Sequence, residues 1–106
     1  MEIAFNTKSL RSLCEIEAEM SKKLGSAVAE ALRGCLADLR AAVTIADVTS
    51  GYAAEMVSKI EVKISPYEGV HIRLRANDRQ VPTKRGNGVD WTKVTRVKIM
   101  EISKRG

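Results

Sequence analysis

The chain has 106 residues, 44% of them apolar, which leaves room for one domain and one core; two domains would each be marginal. Its longest apolar runs span a few residues, far short of the roughly 20 that cross a bilayer, and no basic start leads into an apolar stretch. The expectation is therefore a cytoplasmic protein with neither a membrane partner nor a secretory signal.

Ile3 to Phe5 reads as a short opening strand, with Asn6 or Thr7 capping a helix after it. Leu10, Leu13, Cys14, Met20 and Leu24 recur at helical spacing in one stripe that Glu17 interrupts, up to a stop at Gly25. Ser26 is the expected cap of a second helix that buries Val28, Leu32, Cys35, Leu36 and Leu39. The short connection makes the two an antiparallel hairpin. Both cysteines fall on apolar helical positions, where a thiol behaves as a small buried hydrophobe. Thr44 and Asp47 have capping-box spacing for one more short helix before Gly51.

Near residue 57 the period changes to two. Ile60, Val62 and Ile64 are expected inward, and Lys59, Glu61, Lys63 and Ser65 outward. Pro66 to Gly69 is turn chemistry. Val70, Ile72 and Leu74 then alternate with His71, Arg73 and Arg75, which completes a hairpin. Residues 77–88 read as a polar surface loop. Val94 to Ile102 is the last strand, with Val97 and Ile99 inward and Arg96 and Lys98 outward, and Trp91 is expected to anchor it to the core, with stacking on a base as the alternative. Helices followed by strands, without βαβ alternation, predict one α+β domain over residues 1–106, a helical hairpin packed on one face of a mostly antiparallel twisted sheet.

Charge is placed unevenly within the net +5. Residues 1–53 carry six Lys or Arg against seven Asp or Glu, and residues 54–106 carry twelve against six. Such asymmetry points to a polyanionic partner, nucleic acid before an acidic protein segment. Glu61, Lys63, His71, Arg73 and Arg75 share the wet face of the hairpin. Cross-strand neighbours lie about 5 Å apart, so Lys63, His71 and Arg73 can meet one phosphodiester. His71, the only histidine, carries the one side-chain type that both takes and gives a proton near neutral pH. Tyr67 in the turn is placed to stack on a base. One histidine and two separated cysteines make no zinc cluster, and neither a phosphate-binding glycine loop nor a Gly-x-Ser-x-Gly element is present.

Several segments resemble a known family. Ser9-Leu10, Leu13-Cys14-Glu15, Leu36-Ala37-Asp38-Leu39-Arg40-Ala41-Ala42, Asp47-Val48 and Gly51 resemble the helical part of small RelE/HigB-type toxins of type II toxin-antitoxin systems, the plasmid-maintenance killer proteins. Ala76-Asn77, Val81-Pro82, Gly88-Val89-Asp90-Trp91 and Val94-Thr95-Arg96-Val97-Lys98-Ile99 are similar to the loop and last strand of that group. The resemblance implies a RelE/ParE-like fold and an endoribonuclease (mRNA interferase) that needs no metal or other cofactor and cleaves ribosome-bound mRNA by attack of the ribose 2′-hydroxyl on the adjacent phosphate. It also implies a cognate antitoxin partner of the helix-turn-helix, HigA-like kind. Position by position, Lys63 matches a family lysine, His71 stands where an arginine is usual, and Arg105 matches a family arginine; these three are the expected catalytic residues. Arg73, Arg75, Lys98, Lys104 and Tyr67 are the expected RNA contacts. The alternatives are a ParE-like inhibitor of DNA gyrase that cleaves nothing, or a degenerate module that only binds its antitoxin.

Overall fold

The first helix opens where the cap predicts, because the Thr7 hydroxyl accepts from the Leu10 amide at 3.1 Å and satisfies one free donor of the first turn. In the computed structural model, which describes residues 1–84 and 87–105, that helix is α1 (Lys8–Glu15). It ends early. Ile16 leaves helical geometry at φ −106° and ψ 104°, and α2 (Glu17–Leu24) starts directly after it, so the single helix expected up to Gly25 is two. A straight helix would hold Glu17 on the same stripe as Leu13, Met20 and Leu24. The break turns Glu17 to solvent in the first turn of α2, where a carboxylate suits the helix dipole, and keeps the three apolar residues buried.

Gly25 joins α2 to α3 (Ser26–Ala41) with φ +86°, a conformation that glycine adopts without strain. Gly25 holds the cap position and Ser26 is the first helical residue, with no side-chain capping bond. The expected face of α3, Val28, Leu32, Cys35, Leu36 and Leu39, is buried. In α4 (Ile45–Thr49) the Thr44 and Asp47 capping box forms. Cys14 and Cys35 are buried and free.

Five strands form one sheet: β1 (Glu2–Phe5), β2 (Ala53–Met56), β3 (Glu61–Tyr67), β4 (Val70–Ala76) and, last in sequence, β7 (Arg96–Lys104). Their order is β1-β7-β4-β3-β2, with β1 parallel to β7 and every other pair antiparallel. The protein is thus mixed α+β, with four α-helices and a mostly antiparallel five-stranded sheet among the described residues. Val62, Ile64, Val70, Ile72, Leu74, Val97 and Ile99 share one core cluster with the buried residues of all four helices. Each such side chain contributes roughly 1.5–3 kcal/mol by leaving water.

Four expectations change. Ile60 is 43% exposed and precedes β3, whereas Glu61, expected in water, is 7% exposed. β2 has no apolar alternation and all four of its residues are exposed, so no period announces it. Tyr67 belongs to β3, and the turn is Glu68–Gly69. Within the expected loop, β5 (Thr83–Lys84) and β6 (Asn87–Val89) pair as a small ladder; Arg85 and Gly86 of that loop, and Gly106, lie outside the described residues. Trp91 opens a 3₁₀ turn and packs against the core. No helix among the described residues is long and apolar enough to cross a membrane.

Candidate functional site

The outer face of the sheet carries the polar half of each alternating strand. Lys63 on β3 lies opposite Arg73 on β4, Arg73 lies opposite Glu101 on β7, and His71 lies opposite Ser103. These residues line a groove of about 480 Å³ together with Val57, Gly69, Lys104 and Arg105. That volume lies in the range of ligand clefts. Lys63, His71, Arg73, Lys104 and Arg105, five of the residues singled out from sequence, therefore meet at one place.

One of the lining arginines, Arg73, pairs with a buried carboxylate. Glu61 Oε2 accepts from Arg75 Nε at 2.9 Å and Nη2 at 2.6 Å, and Glu61 Oε1 lies 3.5 Å from Arg73 Nε. Burying a carboxylate is tolerable only when it is paired, and two guanidinium groups do this here. Arg75 is thereby committed to the fold and does not line the groove, while Arg73 touches Glu61 and still faces the groove.

The remaining cations differ in how free they are. Lys63 Nζ lies 3.5 Å from Glu55 Oε2 in an exposed pair, which solvent makes weak. Lys104, expected to offer its ammonium to RNA, donates to the Leu24 carbonyl at 2.9 Å and ties the end of α2 to the sheet. The Arg105 amide donates to the Gly69 carbonyl at 2.7 Å, which holds Arg105 beside the β3–β4 turn. Gly69 has φ +78°, and a Cβ there would sit 3.6 Å from Arg105 Cβ, so the turn and Arg105 pack closely. Neither the His71 ring nor the Arg105 guanidinium has an ion-pair partner among the described residues.

Lys98 and Tyr67 stand apart. Lys98 lies opposite Arg75, toward the far end of the strands, and Tyr67 is exposed; neither lines the groove. Glu101 and Ser103 are groove residues that sequence reasoning missed. Counting by twos from Val97 and Ile99 sends both inward. A register shift between Arg73 and Leu74 leaves Met100 without a partner, and this bulge turns Glu101 and Ser103 outward.

A larger concavity of about 640 Å³ lies between α1 and α2, lined by Lys8, Ser9, Ser12, Leu13, Glu19, Lys22 and Lys23. It brings together lysines and serines with a single carboxylate and no imidazole. The sheet groove joins imidazole, carboxylate and guanidinium, and is the better site for chemistry. The thiols belong to neither, and burial pushes Cys14 and Cys35 up to about 11. Among the described residues no group of three or more His, Cys, Asp or Glu could hold a metal ion.

Compared with protein-family models, curated proteins and solved structures, the chain has no significant match in any of the three.

Proposed function

We propose that this chain is the toxin of a toxin-antitoxin pair, a RelE/HigB-type endoribonuclease that cleaves ribosome-bound mRNA in the cytoplasm without a metal. The observation that supports this reading is that His71 shares one open groove with Lys63, Arg73 and Arg105. An RNA strand laid along the outer face puts a phosphodiester among these cations. Attack by the 2′-hydroxyl builds negative charge on the nonbridging oxygens, and fixed guanidinium and ammonium groups stabilise that charge more than the charge of the ground state. Holding the ribose and phosphate in line removes part of the orientational barrier, and His71 moves a proton. The products are a 2′,3′-cyclic phosphate and a 5′-hydroxyl. An antitoxin of the helix-turn-helix kind silences the chain by covering the groove, and an acidic segment suits its charge.

Expression from a tightly controlled promoter, with mapping of new 5′ ends in mRNA, tests the proposal. Wild type arrests growth and creates new ends; His71→Ala and Arg105→Ala do neither. Arrest with intact mRNA and inhibited gyrase overturns the nuclease in favour of a ParE-like inhibitor, and absence of arrest overturns it in favour of a module that only binds its antitoxin.

A further inference from the structure

We infer that Glu101 is the general base that takes the proton from the ribose 2′-hydroxyl, with His71 as the acid that protonates the leaving 5′-oxygen; this rests on the nuclease reading above. Cleavage moves two protons, and most of the groove cannot take one. Arginine does not release its proton in proteins, a lysine ammonium only donates, and the Ser103 hydroxyl is a weak base. Glu101 is the one carboxylate among the described residues that line the groove, and an ionised carboxylate only accepts.

Placement supports the pair. Glu101 lies opposite Arg73, and Ser103, two residues on, lies opposite His71, so Glu101 and His71 are diagonal neighbours on one face. Diagonal neighbours are about 7–8 Å apart, which leaves room for a phosphate between a base and an acid. Arg73 lies beside that gap, opposite both Lys63 and Glu101. The bulge at Met100 is what delivers the carboxylate, and re-aiming a side chain is what bulges do beside functional sites.

The step balances without a co-reactant. The 2′-oxygen gives its proton to the Glu101 carboxylate and forms a bond to phosphorus. The bond from phosphorus to the 5′-oxygen breaks, and that oxygen takes a proton from the His71 imidazolium. Water returns one proton to His71 and removes one from Glu101.

The test follows single-turnover cleavage of a synthetic mRNA on ribosomes from about pH 5 to about pH 9. The charged or titratable groups facing Glu101 in the groove are Lys63 from β3, His71 and Arg73 from β4, and Lys104 and Arg105 at the end of β7. Glu101→Gln is expected to cut the rate by roughly 10²–10⁴-fold and to abolish the acid limb of the profile, while Glu101→Asp keeps that limb. Sulfur in place of the bridging 5′-oxygen leaves without a proton, so this substrate restores cleavage to His71→Ala and not to Glu101→Gln. A Glu101→Gln rate within a factor of about three of wild type, or its rescue by sulfur, overturns the assignment and leaves the nuclease standing. Wild type that leaves the mRNA intact overturns both.

Discussion

Arg75 spends two donors on a single oxygen of Glu61, at 2.9 and 2.6 Å, while Arg73 reaches the other oxygen only at 3.5 Å. Two arginines on one face of one strand thus have different work. Arg75→Met is expected to cost about 1–3 kcal/mol, because it strips the hydrogen bonds from a buried carboxylate. Arg73→Met is expected to cost about 0–1 kcal/mol, since it removes a long, partly exposed ion pair. If the nuclease reading holds, Arg73→Met also lowers cleavage by roughly 10²–10³-fold. Urea titration of both variants beside the cleavage assay checks this ordering.

The thiols give a pH-dependent prediction. Burial raises both cysteines from an ordinary 9.0 to about 11. Above pH 9 the unfolded chain releases protons that the native chain keeps, so the native state binds more protons and stability falls as pH rises. The contribution is whole below about pH 9 and is lost progressively toward pH 11 and beyond. A thiol-disulfide reagent at neutral pH should leave both cysteines untouched in the folded chain and label both in denaturant. Rapid labelling of native protein contradicts the buried placement.

Salt dependence reports how many groove cations meet phosphate. For a single strand, each contact adds about 0.7 to the slope of log affinity against log salt. Arg105→Ala and Lys63→Ala should each lower that slope by about 0.7, and Arg75→Ala should leave it unchanged. Equal slopes in all four proteins mean that RNA binds elsewhere.

Met100 is the extra residue of the bulge, so deleting it brings Ile99 and Glu101 into simple alternation. Every inward apolar residue of β7 then stays inward. Deleting Lys98 instead moves Val97 to the outer face and exposes a fully buried side chain worth roughly 1.5–3 kcal/mol, with the rest of the strand's start displaced alongside it. The Met100 deletion should fold and the Lys98 deletion should not, as read by circular dichroism and thermal melting.

Local pattern reached much of this protein. Alternation of Val70, Ile72 and Leu74 with His71, Arg73 and Arg75 placed six side chains on their correct faces, because successive residues of a regular strand must point to opposite sides. Helical spacing found the buried face of α3 for the same kind of reason. β2 stayed hidden because pairing with β3, and no apolar period of its own, makes it a strand. Glu61 was misplaced because a charged residue reads as wet until its two arginine partners are seen to enclose it.

The sequence by itself determined which chemical groups the sheet carries: one imidazole and several cations on alternating positions, with apolar residues between them. Only the tertiary structure decided which of those groups meet. Glu101 reaches the groove through one unpaired residue in β7, and Arg75 leaves it for a carboxylate on the neighbouring strand. Alternation is a property of a single chain segment, whereas a bulge or an ion pair is fixed by the strand beside it, and that neighbour is chosen by the whole fold.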